Sequence, residues 1–102
     1  MTRADAIARA QAQIPSGAFL RELDRRVGFK TESMNAERAG DLRAYLEEEL
    51  QPAFSELDFT SRLIESPGGK SPFLLAEHHE DASLPTVLTY GHGDVVDGMV
   101  GE

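Results

Sequence analysis

The sequence contains neither cysteine nor tryptophan among its 102 residues. Without cysteine the chain has no disulfide and no thiolate zinc site, so a bound metal would have to use histidine and carboxylate ligands. The lack of disulfides is consistent with a reducing compartment, and the segment that starts at Met1 lacks the apolar block of a secretory signal. We therefore predict a soluble protein located in the cytoplasm.

Positive charge is also scarce. The chain has 10 Lys and Arg residues against 18 Asp and Glu residues, which gives a formal net charge of −8. Nonspecific nucleic-acid binding relies on clustered cations, so we expect no nucleic-acid partner. No uninterrupted apolar run approaches the roughly 20 residues that a membrane-spanning helix needs, so we expect no membrane partner. With 40% hydrophobic residues, the chain can form one small domain with a modest core.

Three helices are predicted in the first half of the chain. Residues 4–13 are alanine-rich and should form a weakly anchored helix, which a Pro-Ser-Gly sequence ends. Ser16 can cap a second helix, and Gly28 follows at the position where helices commonly end in glycine. Asn35 can cap a third helix that ends or kinks near Pro52. The apolar face of the second helix comprises Phe19, Leu20, Leu23 and Val27, and that of the third comprises Ala39, Leu42, Tyr45, Leu46 and Leu50.

Three strands are predicted in the second half, at residues 59–65, 71–78 and 86–90. The five residues that join the first two strands cannot form a parallel crossover, so these strands should pair antiparallel. The next connection is also short, so the third strand should reverse again and run in the direction of the first. The predicted fold class is therefore α/β, with N-terminal helices packed on a mixed β-sheet.

The sequence Gly91-His92-Gly93-Asp94 follows directly after the third predicted strand. The two glycines free the backbone to turn and allow another group to come close. An imidazole that binds a metal through one nitrogen needs an acceptor for its other N–H, and a carboxylate two residues away can supply it. Asp94 could also ligate directly. The alternative is a hydrogen-bonded His–Asp pair with only a structural role in a tight turn.

Three other polar clusters are interpreted as structural. The Gly-Lys-Ser sequence at residues 69–71 is typical of the end of a phosphate-binding loop, but Ile64 stands where that motif requires glycine, so no cofactor-binding residues are assigned. Residues 77–80 place four potential ligands in a row, but neighbours on a strand point to opposite faces. The three consecutive glutamates at residues 47–49 are interpreted as a solvated helix face.

The segment Pro85-Thr86-Val87-Leu88-Thr89-Tyr90-Gly91-His92-Gly93-Asp94-Val95-Val96 closely resembles the first metal-binding motif of the M20 metallopeptidases. The resemblance implies that His92 ligates one of two zinc ions and that Asp94 has a catalytic role as the carboxylate that orients this imidazole. Cobalt or manganese could substitute for zinc. It also implies a hydrolase, a peptidase or amidohydrolase that cleaves amide bonds in small peptides or N-acyl amino acids. Asp58 stands where this family usually has glycine, a mild departure because aspartate tolerates the left-handed conformation.

In that family, the bridging Asp, the Glu-Glu pair with the general base, a further carboxylate ligand and a distal His all lie downstream of the first motif. The present sequence ends at Glu102. We therefore expect residues 1–102 to be the N-terminal part of an M20-type catalytic domain, inactive by itself. An open sheet edge would then allow self-association into a homo-oligomer. The alternative is a small acidic α/β interaction module without catalysis, in which the His-Gly-Asp turn is structural.

Overall fold

The computed structural model describes residues 1–69, 71–96 and 98. It begins with helix α1 (Arg3–Ala12), in agreement with the prediction for residues 4–13. Thr2 caps this helix: its hydroxyl accepts a hydrogen bond from the Asp5 backbone N–H at 3.2 Å, and the Asp5 carboxylate accepts one from the Thr2 N–H at 2.9 Å. Such a reciprocal pair satisfies donors that the first turn of a helix leaves without partners.

Helix α2 (Ala18–Val27) follows a break at Gly17, whose φ of 75° is left-handed. Gly17, and not the predicted Ser16, occupies the N-cap position of this helix. The hydroxyl of Ser16, one residue earlier, accepts a hydrogen bond from the Ala18 N–H at 3.3 Å. The helix ends at Gly28, as predicted. Its apolar side chains remain largely exposed, including Leu20 at 62% and Val27 at 72%.

Residues 36–56 form one continuous helical stretch with three changes of pitch. A 3₁₀ turn (Ala36–Arg38) is capped by the side chain of Asn35, as predicted, and leads into helix α3 (Ala39–Ala44). A π-helical segment (Tyr45–Leu50) follows, and then helix α4 (Gln51–Glu56). Pro52 therefore does not end the helix. Proline lacks an N–H and clashes with the carbonyl four residues earlier, and the wide π-helical turn before it provides the room that its ring needs.

The first two predicted strands are confirmed as an antiparallel pair. Strand β1 (Thr60–Ile64) pairs with strand β2 (Phe73–Glu77) in a register that places Thr60 opposite Glu77. Asp58, just before β1, has a φ of 62°, so the left-handed conformation expected at this position is present. Helix α4 contacts β1, which gives a helix-on-sheet arrangement within the general α/β class.

The predicted third strand and the mixed sheet are not formed in the described residues. The sheet has two strands, both antiparallel, and residues 86–90 belong to neither. Val87, Leu88 and Tyr90 are exposed at 83%, 89% and 87%. β-Branched and aromatic residues favour a strand through packing against neighbouring strands, and no neighbouring strand pairs with residues 86–90 in the part of the chain that the structure describes. The one parallel pairing in the described part of the chain is an isolated bridge between Glu32 and Val95.

No hydrophobic side chain is fully buried in the part of the chain that the structure describes. The accessible surface is 8617 Å². A folded monomer of this mass would expose about 5,700 Å². The radius of gyration of 16.5 Å also exceeds the roughly 13 Å of a compact domain of this length. The modest core predicted from composition is thus not assembled, and much apolar surface lies open.

No helix in the described ranges is both long enough and apolar enough to cross a bilayer.

The link between α2 and the π-helical segment is polar. Glu49 is only 6% exposed, and its carboxylate accepts hydrogen bonds from Arg25 and Arg26 at the end of α2. The interpretation of residues 47–49 as a solvated face is therefore wrong for Glu49. Hydrogen bonds from Arg25, and then from Arg26, lower the pKa of the Glu49 carboxyl although burial acts in the opposite direction. This ion pair joins two helices that share little apolar contact.

Candidate functional site

Residues 91–95, here called the His92 turn, lie against a short connector formed by residues 31–33. The backbone N–H of Val95 donates to the carbonyl of Thr31 at 3.1 Å, beside the parallel bridge between Glu32 and Val95. Thr31 is 3% exposed, which makes it the most buried residue in the described chain. The connector is the short polar sequence Thr31-Glu32-Ser33. The structure shows that it is the main support of the candidate site.

Asp94 is anchored to this connector by its side chain. Its Oδ1 accepts a hydrogen bond from the backbone N–H of Ser33 at 3.0 Å. Hydrogen bonding from Ser33, through its side chain and its backbone N–H, lowers the pKa of the Asp94 carboxyl, and His92 makes a smaller contribution in the same direction. The sequence predicted that Asp94 would orient His92. That role remains a prediction, and it is compatible with the contact to Ser33 because a carboxylate has a second oxygen.

Gly93 lies against the aromatic ring of Tyr45, at the start of the π-helical segment. A Cβ atom added to Gly93 would lie 2.7 Å from Cε1 and 3.1 Å from Cδ1 of Tyr45, which is closer than carbon atoms approach without displacement. The predicted close approach of another group is therefore present at Gly93. It is absent at Gly91, where an added Cβ meets nothing within 4 Å. Neither glycine has a positive φ, so space, and not backbone conformation, distinguishes them.

The imidazole of His92 is exposed and has no hydrogen-bond partner among the described residues. No group of three or more His, Asp or Glu side chains that could hold a metal ion occurs within residues 1–69, 71–96 and 98. A catalytic zinc site generally has three protein ligands. The described residues therefore do not form a zinc site by themselves, and the roles predicted for His92 and Asp94 remain predictions.

The other two histidines lie apart from the His92 turn. The Nδ1–H of His78 donates to the carbonyl of Asp58 at 2.9 Å, and its ring packs at a tilt on Phe59 with centroids 5.2 Å apart. The carbonyl of Asp58, followed by the side chain of Glu80, raises the pKa of His78. His79 is 73% exposed. Residues 77–80 are exposed, which agrees with their interpretation as a structural cluster.

An ion-pair network supports the connector from the other side. Arg38 lies 3.5 Å from the Glu32 carboxylate and 3.6 Å from that of Asp41. Arg38 ends the 3₁₀ turn that Asn35 caps, so the first turn of the long helical stretch contacts the connector through the Glu32 ion pair. No protein-family model, characterised protein or solved structure matches the chain.

Proposed function

We propose that this chain carries the first metal-ligating segment of an M20-type zinc hydrolase that cleaves amide bonds in small peptides or N-acyl amino acids. The observation that carries the proposal is the contrast within the His92 turn. His92 is exposed and has no hydrogen-bond partner among the residues that the structure describes, whereas Asp94, two residues on, is held by the connector. A free imidazole beside a fixed carboxylate is the arrangement that a metal ligand with an orienting acid requires.

The proposal assigns limited chemistry to the chain itself. Bound zinc would polarise the scissile carbonyl and activate a water molecule. His92 would hold one ion, and Asp94 would accept the second N–H of the imidazole through its remaining acceptor capacity, since a carboxylate has two oxygens. The general base and the other ligands are not among the described residues. We therefore propose that residues 1–102 alone are inactive, and that the complete enzyme acts in the cytoplasm without a nucleic-acid or membrane partner.

A second candidate function is a small acidic interaction module in which the His92 turn is only structural. The hydrogen bond from Ser33 to Asp94 favours it, because the carboxylate already has a partner that stabilises the fold. The net charge of −8 would suit a basic partner. In this case His92 has no required ligand, and its replacement should leave the behaviour of the protein unchanged.

Zinc titration followed by NMR tests the proposal on the chain in hand. We expect zinc to shift the imidazole resonances of His92, weakly and at one site, and calorimetry to show no tight binding of two ions. His92→Ala should abolish these shifts around the turn, whereas His79→Ala, which removes an exposed imidazole outside the turn, should retain them. Unchanged His92 resonances at high zinc would refute the proposal. Nanomolar binding of two ions would contradict the predicted incompleteness.

The coding sequence beyond Glu102 gives a second test. A continuation with further Asp and Glu-Glu motifs after strands supports the hydrolase, and His92→Ala in that complete protein should lower both zinc content and turnover. A stop codon directly after Glu102 favours the interaction module.

A further inference from the structure

We propose that Tyr45 is a positioning residue for His92: its ring acts as a steric stop on Gly93 and, together with the Ser33 N–H, fixes where the His92 turn presents its imidazole. The purpose assigned to the turn rests on the proposed function. The contact between Tyr45 and Gly93 does not rest on that function, because the ring lies against the backbone of Gly93 whatever the turn binds.

The first step is the position of the ring. Tyr45 Cε1 and Cδ1 lie where a Cβ of residue 93 would be, so only glycine allows the backbone of the turn to rest on the ring. The turn would have to lift away from the ring to accept any side chain at residue 93. Because Gly93 separates His92 from Asp94, such a movement would displace both functional groups.

The second step is the rigidity of the ring. Tyr45 is half-buried and meets the edge of Phe29, with centroids 5.5 Å apart and planes at 61°. Phe29 in turn leads into the connector, since its carbonyl accepts a hydrogen bond from the Thr31 N–H at 3.0 Å. The ring therefore cannot swing away from Gly93 without disturbing an aromatic contact of a favourable geometry.

The third step is that the turn is held from two directions. Ser33 holds the carboxylate of Asp94, and Thr31 accepts from the Val95 N–H, both from the connector. Tyr45 limits the backbone from the side of the helical stretch. With the three residues after it constrained, His92 has a restricted position although its imidazole has no hydrogen-bond partner among the described residues.

Paired glycine substitutions test the steric stop. Gly93→Ala should displace the turn, shift the ring resonances of Tyr45 and raise the hydrogen-exchange rate of the Ser33 amide roughly tenfold, as expected when one hydrogen bond is lost. Gly91→Ala is the matched control, because its added methyl group meets nothing within 4 Å. It should leave the Ser33 amide and the Tyr45 ring unchanged. Equal effects of the two substitutions, or no effect of either, would overturn the proposal.

Substitutions at Tyr45 test whether the ring is the cause. Tyr45→Ala combined with Gly93→Ala should restore Ser33 protection towards its original value, because the methyl group then has space. Tyr45→Phe combined with Gly93→Ala should not restore it, since the contacting atoms belong to the ring and not to the hydroxyl. Failure of the alanine pair to restore protection, in a chain whose far-ultraviolet circular dichroism is unchanged, would count against the stop.

The zinc response of His92 separates this inference from the proposed function. Gly93→Ala should weaken the zinc-induced shift of His92 several-fold while leaving the responses of His78 and His79 as they were, and the Tyr45→Ala pair should recover it. If zinc never shifts His92 but Ser33 protection follows the predicted pattern, the metal role fails and the steric stop stands. If Ser33 protection ignores Gly93→Ala, the steric stop fails whatever zinc does.

Discussion

Replacement of Glu49 by glutamine probes the contact on which the helical half of the molecule depends. The Glu49 carboxylate accepts hydrogen bonds from Nε and Nη2 of Arg25, each at 2.8 Å, and from Nε of Arg26 at 3.1 Å. Glu49→Gln preserves the shape of the side chain but leaves a single accepting oxygen and no charge. At least one hydrogen bond is lost, together with the negative charge of the acceptor.

The expected loss is about 1–2 kcal/mol of unfolding free energy. Breaking a fully buried ion pair would cost more unfolding free energy. Here the side chains of Arg25 and Arg26 are 55% and 35% exposed, so water can solvate the guanidinium groups that lose their carboxylate partner. For a chain of this size the loss corresponds to a decrease of roughly 1 M in the urea midpoint. Glu48→Gln makes the same change of charge at an exposed neighbour and should move the midpoint by much less.

Urea unfolding followed by circular dichroism gives the comparison, with all three proteins at the same pH and salt concentration. Raised sodium chloride should narrow the gap between Glu49→Gln and the parent chain only slightly, because the Glu49 side chain is shielded from solvent. Equal midpoints for the Glu49 and Glu48 variants would show that the ion pair does not hold α2 to the π-helical segment.

Three further outcomes follow from the structure. Hydrogen bonds lower the pKa of the Glu49 and Asp94 carboxyls in the folded protein. The stability that these two carboxylates contribute should therefore be complete above the unfolded-state pKa of about 4 and should be lost as pH falls through the lower native pKa. Urea midpoints between pH 7 and pH 3 measure this loss, and midpoints that do not change with pH would contradict it. The raised pKa of His78 predicts stabilisation that is complete below about pH 6.5 and lost as pH rises through the native pKa; an NMR titration midpoint at or below 6.5 would refute the contact with Asp58. The exposed apolar residues 87–90 should promote self-association, which Leu88→Lys should reduce in sedimentation velocity; a monomeric parent chain at high concentration would exclude it.

Local signals in the sequence predicted the local structure well. The cap at Asn35 and the end of α2 at Gly28 depend on a few neighbouring residues, and each is present, whereas the N-cap of α2 is Gly17 and not the predicted Ser16. The antiparallel pairing of β1 and β2 followed from the length of one connection. The prediction of a third strand was wrong because composition gives only a preference for extended backbone, whereas a strand also needs a neighbouring strand to pair with.

The support of the candidate site could not be predicted because it is nonlocal. Ser33 and Asp94 are 61 residues apart in sequence, and no pattern in either segment specifies the other. Glycines beside His92 indicated that something would approach, but not that Tyr45 would do so. The burial of Glu49 could not be predicted for the same reason. The sequence does not distinguish the three consecutive glutamates, and only the fold places Arg25 beside one of them.

The π-helical segment sets the relative rotation of the two ends of residues 36–56. One additional residue per turn rotates everything after it by about 100° relative to an uninterrupted α-helix. Tyr45 stands at the start of that segment and contacts the His92 turn, whereas α4 follows the segment and contacts β1. An ideal α-helix would give these two contacts a different relative orientation. The π-helical segment that precedes Pro52 therefore joins the residue that contacts the His92 turn to the helix that contacts the β1–β2 pair.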